Sequence, residues 1–184
     1  MTSVFIHTCF LLPVSGIGCI LQEISVKDFL SKGAVNGIGD PPTTIPTVGT
    51  NLVTILTGQK NEITVRELGG SMGPIWHNYL KDTDTVIYMI DLTNRLQVSA
   101  ACIQLLMLLS HSDTKNLPFL LLFNKIDVTT AMTQSEVQSL FRMNGILKHA
   151  VQKINILEIS AKSGNSLDKV VRWINSNHKQ AEQS

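Results

Sequence analysis

A chain of 184 residues, 43% hydrophobic and 16% charged, is sized for one domain with a proper core and is too apolar for a disordered chain. A net charge of +1 with no Lys/Arg-rich run excludes an electrostatic footprint for nucleic acid. Three unpatterned cysteines, Cys9, Cys19 and Cys102, exclude a disulfide frame or zinc site and suit the reduced thiols of a cytoplasmic protein.

The chain opens on an uncharged, mostly apolar stretch over residues 4–21. No basic residue precedes it, and Pro13, Gly16 and Gly18 break it, so it reads as a buried strand over residues 5–12 rather than a targeting segment. His7, Thr8 and Ser15 interrupt it as a membrane span. Thr2 in place of Gly excludes N-myristoylation, and the final Ala-Glu-Gln-Ser is not a prenylation box, so no lipid anchor is expected. A Gly- and Pro-rich stretch over about residues 31–46 reads as a long loop. Residues 52–56 and 63–68 read as two short strands. Gly58-Gln59-Lys60-Asn61 between them suggests a hairpin, which would add one antiparallel edge strand.

Residues 86–92 are continuous, β-branched and apolar, as expected for a strand buried on both faces, and residues 119–123 repeat the pattern. Between them Val98, Ala101, Cys102, Leu105, Leu108 and Leu109 recur at helical spacing. Thr133-Gln134-Ser135-Glu136 has the spacing of a capping box. Residues 154–159 form the last strand, and Leu167, Val170, Val171 and Ile174 the apolar face of a final helix. Strands alternating with helices predict an α/β fold with a mostly parallel, six-stranded sheet and helices on both faces. Ligands of such sheets bind at the carboxyl ends of the strands.

Two strand ends carry the chemistry. After residues 119–123 comes Asn124-Lys125-Ile126-Asp127. A carboxylate there can accept two hydrogen bonds at once from the ring N–H and exocyclic amine of guanine, a donor pair that adenine lacks. Asn124 can donate to a ring nitrogen or tie neighbouring loops, and the stem of Lys125 can cover a base face. The plainer reading is a polar turn after a buried strand. After the last strand comes Ser160-Ala161-Lys162-Ser163-Gly164. The Ala161 amide can read the guanine carbonyl and Lys162 can cover the other face; the plainer reading is a turn before a helix. Together the two segments are far more specific than either alone. Gly69-Gly70 lets backbone approach a ligand, with the Gly70 amide placed to sense a terminal phosphate. Thr47 can put its hydroxyl on Mg²⁺, although Thr43, Thr44 and Thr50 have equal chemistry.

Thr44-Ile45-Pro46-Thr47-Val48-Gly49, Leu68-Gly69-Gly70, Pro74-Ile75-Trp76, Asn124-Lys125-Ile126-Asp127 and Ser160-Ala161-Lys162 resemble the ordered signature of the Arf family of small GTPases. The resemblance spans residues 42–178. It implies a P-loop NTPase fold over the whole chain, GTP/GDP and Mg²⁺ as ligands, and effector or regulatory proteins engaged through the switch loops of a monomer. Arg66-Glu67-Leu68-Gly69-Gly70, in place of the family's Trp-Asp-x-Gly-Gly, is the mark of one branch.

The phosphate loop departs from the pattern. The family has Gly-x-x-x-x-Gly-Lys-Ser/Thr; here Pro13, Cys19 and Ile20 replace the first Gly, the Lys and the hydroxyl residue. Gly16 and Gly18 keep a loop shape, so some amides can still face phosphate, but the charge and metal hydroxyl are gone. Residues 1–30 thus read as a degenerate first strand, phosphate loop and helix. The loss implies triphosphate binding weaker by two or more orders of magnitude, at about 1.4 kcal/mol per decade. Ser71 stands where many relatives place a Gln that orients the attacking water, and Glu67 where an Asp supports Mg²⁺. GTP hydrolysis is therefore expected to be weak or absent. The alternative is a pseudo-GTPase interaction scaffold that binds nucleotide poorly. The sequence opens almost at the first strand, so membrane docking through the family's amphipathic N-terminal helix is not expected, and residues 178–184 are expected to form a disordered tail.

His7, His77, His111, His149 and His178 show no ligand spacing. Trp76 and Tyr79 read as core or as a partner-facing surface.

Overall fold

A computed structural model of the chain describes residues 6–11, 49–56, 62–81 and 83–181, with side chains for 49–54, 63–81 and 83–177. Six strands form one sheet: β1 (Ile6–Leu11), β2 (Thr50–Leu56), β3 (Glu62–Leu68), β4 (Thr85–Asp91), β5 (Phe119–Asn124) and β6 (Ile154–Glu158), in the order β2-β3-β1-β4-β5-β6. Every pairing is parallel except β2 with β3, so β2 is the antiparallel edge strand that the hairpin pattern predicts. Registers Leu11↔Leu68, Leu11↔Tyr88, Asp91↔Asn124 and Phe123↔Glu158 bring the carboxyl ends of the parallel strands to one edge.

Among the described residues four α-helices cover the sheet: α1 (Val98–Ser110), α2 (Gln134–Leu140), α3 (Met143–His149) and α4 (Leu167–Ala181). Alternation along β4 and β5 sends side chains to opposite faces. Val86, Tyr88, Ile90, Phe119, Leu121 and Phe123 pack with Ala101, Leu105 and Leu108 of α1, Val137 of α2 and Ile146 of α3. Ile87, Met89, Leu120 and Leu122 pack on the other side with Leu167, Val170 and Ile174 of α4. All six residues of β5 are buried. Burial contributes about 1.5–3 kcal/mol per large apolar side chain. A one-residue slip would exchange its two faces, so β5 holds its final residue, Asn124, firmly in place.

Two stretches differ from expectation. After Leu68 the chain forms a 3₁₀ helix over Gly70–Tyr79, an element absent from the sequence reading, which sees in Gly69-Gly70 only a close backbone approach to a ligand. Trp76 anchors it: its Nε1–H donates to the Gly69 carbonyl at 3.1 Å, and its ring meets Tyr88 edge-on at 6.2 Å. The Tyr88 hydroxyl in turn donates to the Ala101 carbonyl at 2.8 Å, and burial pushes that phenol's pKa well up. Trp76 is therefore core, of the two roles the sequence leaves open. The second difference is α4, which continues through Ala181, past residue 178 where a disordered tail is expected. His178-Lys179-Gln180-Ala181 contains no Gly or Pro to stop a helix. No helix among the described residues is long and apolar enough to cross a membrane.

Candidate functional site

Asn124, the last residue of β5, is buried at 3% exposure. Its Oδ1 accepts two backbone amides, Lys125 N–H at 2.8 Å and Ala161 N–H at 3.0 Å. Two donors on one atom fix which end of the amide is oxygen. The Nδ2 group faces Met89 Sδ at 3.4 Å. Asn124 thus ties the turn after β5 to the turn after β6, the second of the two roles that the sequence allows it. The Ala161 amide, expected to read a base carbonyl, is engaged by Asn124 here. Reading a base would require that donor to be shared.

The same two turns meet again at Asp127. Its Oδ1 accepts the Ser160 hydroxyl at 2.6 Å, and Ser160 Oγ accepts the Ser163 amide at 3.0 Å. Ser160 is fully buried, while Asp127 is exposed. No described residue supplies a hydrogen bond to Asp127 Oδ2, so this exposed carboxylate keeps acceptor capacity beyond the Ser160 bond. Local backbone supports the placement: Ile159 N–H donates to Phe123 O at 2.9 Å, Ser160 N–H to Asn165 O at 3.2 Å, and Val128 N–H to Lys125 O at 3.1 Å.

Lys125 has φ +71°, the left-handed region that costs most side chains about 1–2 kcal/mol. Its Nζ lies 2.6 Å from Asp91 Oδ2. Asp91 and Thr93, which hold this lysine from the end of β4, are neighbours of the two turns that sequence reasoning passes over. The signal was an acidic residue closing an otherwise apolar strand, followed by a hydroxyl two positions on. Lys162 is exposed beyond Ala161.

Gly69 is buried with φ −64° and ψ 150°, an extended conformation open to any residue. Its amide donates to Gly49 O at 3.1 Å, which joins the start of β2 to the end of β3. Gly49 at φ +105° is the glycine whose backbone freedom the turn requires. Gly70 opens the 3₁₀ helix, and Ser71 is exposed. Glu67 is 3% exposed near the end of β3. Gly16, Gly18 and Thr47, with the rest of Pro13–Ile20, lie outside the described residues. Among the described residues no group of three or more His, Cys, Asp or Glu is placed to hold a metal. His77 and His111, scattered in sequence, stack with ring centroids 6.1 Å apart.

Against known proteins, the model of the ADP-ribosylation factor family matches residues 34–178. The chain belongs to the ADP-ribosylation factor family. The Arf match begins past residues 13–20. The chain is 40% identical to human ADP-ribosylation factor-like protein 16 over 171 residues, 93% of this chain and 86% of that protein. It is 30% identical to ADP-ribosylation factor-like protein 1 of Drosophila melanogaster over 139 residues, 74% and 75% of the two chains. Among solved structures it resembles the Arl6 BBS3 small GTPase from Trypanosoma brucei, determined with the nucleotide analogue GppNp. The TM-score is 0.75 at 19% sequence identity, covering 96% of this chain and 99% of that one. The fold of this Arf-family chain is therefore that of a small GTPase.

Proposed function

We propose that this chain is a guanine-nucleotide-binding regulatory switch with weak or absent GTP hydrolysis. One observation carries the reading: the turns after β5 and β6 are locked together by Ser160 on Asp127 and Ala161 on Asn124, with Asp127 exposed and no described residue bonded to its Oδ2. Guanine fits that edge because its ring N–H and amine form a planar donor pair for one carboxylate. Lys125 and Lys162 flank the base, and Ser160 and Ala161 line it. Gly16, Gly18, Gly69 and Gly70 offer amides to the phosphates, and Thr47 offers its hydroxyl to a weakened Mg²⁺ site. Ser71 lacks the reach to orient a water, which keeps hydrolysis slow. The protein acts as a monomer in the cytoplasm, where effectors read the loops around Thr47 and Gly70.

A second reading has its own observation. Pro13, Cys19 and Ile20 remove the phosphate charge and the metal hydroxyl, which favours a scaffold that keeps the fold without tight nucleotide binding. Calorimetry with GTP, GDP and ATP, with and without Mg²⁺, separates the two. The switch predicts guanine-selective binding tighter than millimolar. An absence of binding at millimolar concentration would favour the scaffold, and equal binding of ATP would remove the guanine site.

A further inference from the structure

Asp91 has no role in the base site as described, yet its surroundings are specific. It closes β4 and is the register partner of Asn124 on β5, so the sheet itself sets its position beside the Asn124–Asp127 turn. Its Oδ1 is saturated by Thr93, from the backbone amide at 2.8 Å and the hydroxyl at 2.6 Å. Its Oδ2 holds Lys125 Nζ at 2.6 Å. The Asp91 side chain is only 8% exposed, against 38% for Lys125. The lysine is thus pinned at its amine by a nearly buried carboxylate while 38% of its side chain stays open to a ligand.

We propose that Asp91 is a positioning residue that fixes the Lys125 side chain as a rigid floor for the face of a purine ring. The proposal rests on the guanine reading above and adds to it the group that organises the floor. Lys125 is fixed at both ends. Its amide donates to Asn124 Oδ1 while the backbone is held at φ +71°, and its amine is clamped by Asp91. A lysine free in solvent would lose its rotamer freedom on covering a base; this one has lost it before any ligand arrives. Lys125 also shares a turn with Asp127, through Val128 N–H on Lys125 O. The face and the edge of the base are therefore presented by one preorganised unit.

Calorimetry with GDP as the probe, on the full chain and its Asp91→Asn, Lys125→Met and doubly substituted variants, tests this. Asp91→Asn should weaken GDP by about tenfold, one decade of affinity. The double variant should bind no more weakly than Lys125→Met alone, because Asp91 acts through the lysine. Preference for GDP over inosine diphosphate should not change, since the amine is read at Asp127. In the ligand-free wild type, the Lys125 ammonium should give a slowly exchanging ¹H–¹⁵N resonance that Asp91→Asn abolishes; fast exchange in the wild type would overturn the clamp. Wild-type affinity in Asp91→Asn, or additive losses in the double variant, would overturn the positioning role while leaving the guanine reading intact. No GDP binding by the wild type would overturn both. If Asp91→Asn fails to fold, Thr93→Val removes one donor that orients the carboxylate. It should cost about threefold in GDP affinity, and no change would count against the proposal.

Discussion

At the scale of single residues, the site depends on short polar side chains that each do two things. Ser160 Oγ donates to Asp127 and accepts from the Ser163 amide while fully buried. Deleting it leaves the Ser163 amide without that acceptor and releases a carboxylate oxygen whose direction it fixed. Ser160→Ala should therefore cost about 1–2 kcal/mol of stability, read by urea denaturation, and lower guanine-nucleotide affinity several-fold. Stability loss with no change in affinity would show that Asp127 does not need the serine to be aimed. Asn124 teaches a related lesson: its residue type fits base contact and loop tying equally well, and only its 3% exposure and its two amide donors separate them.

At the scale of elements, the local signals that are chemically complete within a few residues were legible in sequence. The capping box is one. Glu136 N–H donates to Thr133 Oγ1 at 3.3 Å and Thr133 N–H to Glu136 Oε2 at 2.8 Å, at the start of α2. Thr133→Ala should cost about 1 kcal/mol in urea denaturation. The Thr133 backbone N–H, then its hydroxyl, hold the Glu136 carboxyl below its ordinary pKa. A depressed acidic pKa stabilises the fold above the unfolded value, so this contribution is present at neutral pH and lost as pH falls below about 4.5. The Thr133→Ala penalty should shrink over that range; a penalty independent of pH would contradict the box. By contrast, the 3₁₀ helix after Leu68 was illegible, because Gly70, Gly73 and Pro74 are poor helix formers. What holds it is distant: Trp76 inserted against Tyr88 on β4.

At the scale of the whole molecule, the sheet was legible because β4 and β5 are uninterrupted apolar runs, and the two turns were legible because each sits at a strand end. The Asp91–Lys125 pair was not, since only the parallel register of β4 and β5 brings those residues together. On the proposed reading, Cys19 and Ile20 stand where a phosphate loop has its Lys and hydroxyl residue. Restoring these with Cys19→Lys and Ile20→Thr together should tighten GTP binding by about two orders of magnitude, measured by calorimetry with Mg²⁺. No gain would show that these residues do not face phosphate. The central claim, that Asp127 reads the donor edge of guanine, is tested most directly by exchanging one of its two acceptors for a donor. Xanthine carries a carbonyl where guanine carries its amine, so Asp127→Asn should move preference from GDP towards xanthosine diphosphate by at least about tenfold. An unchanged preference for GDP in that variant would contradict the account.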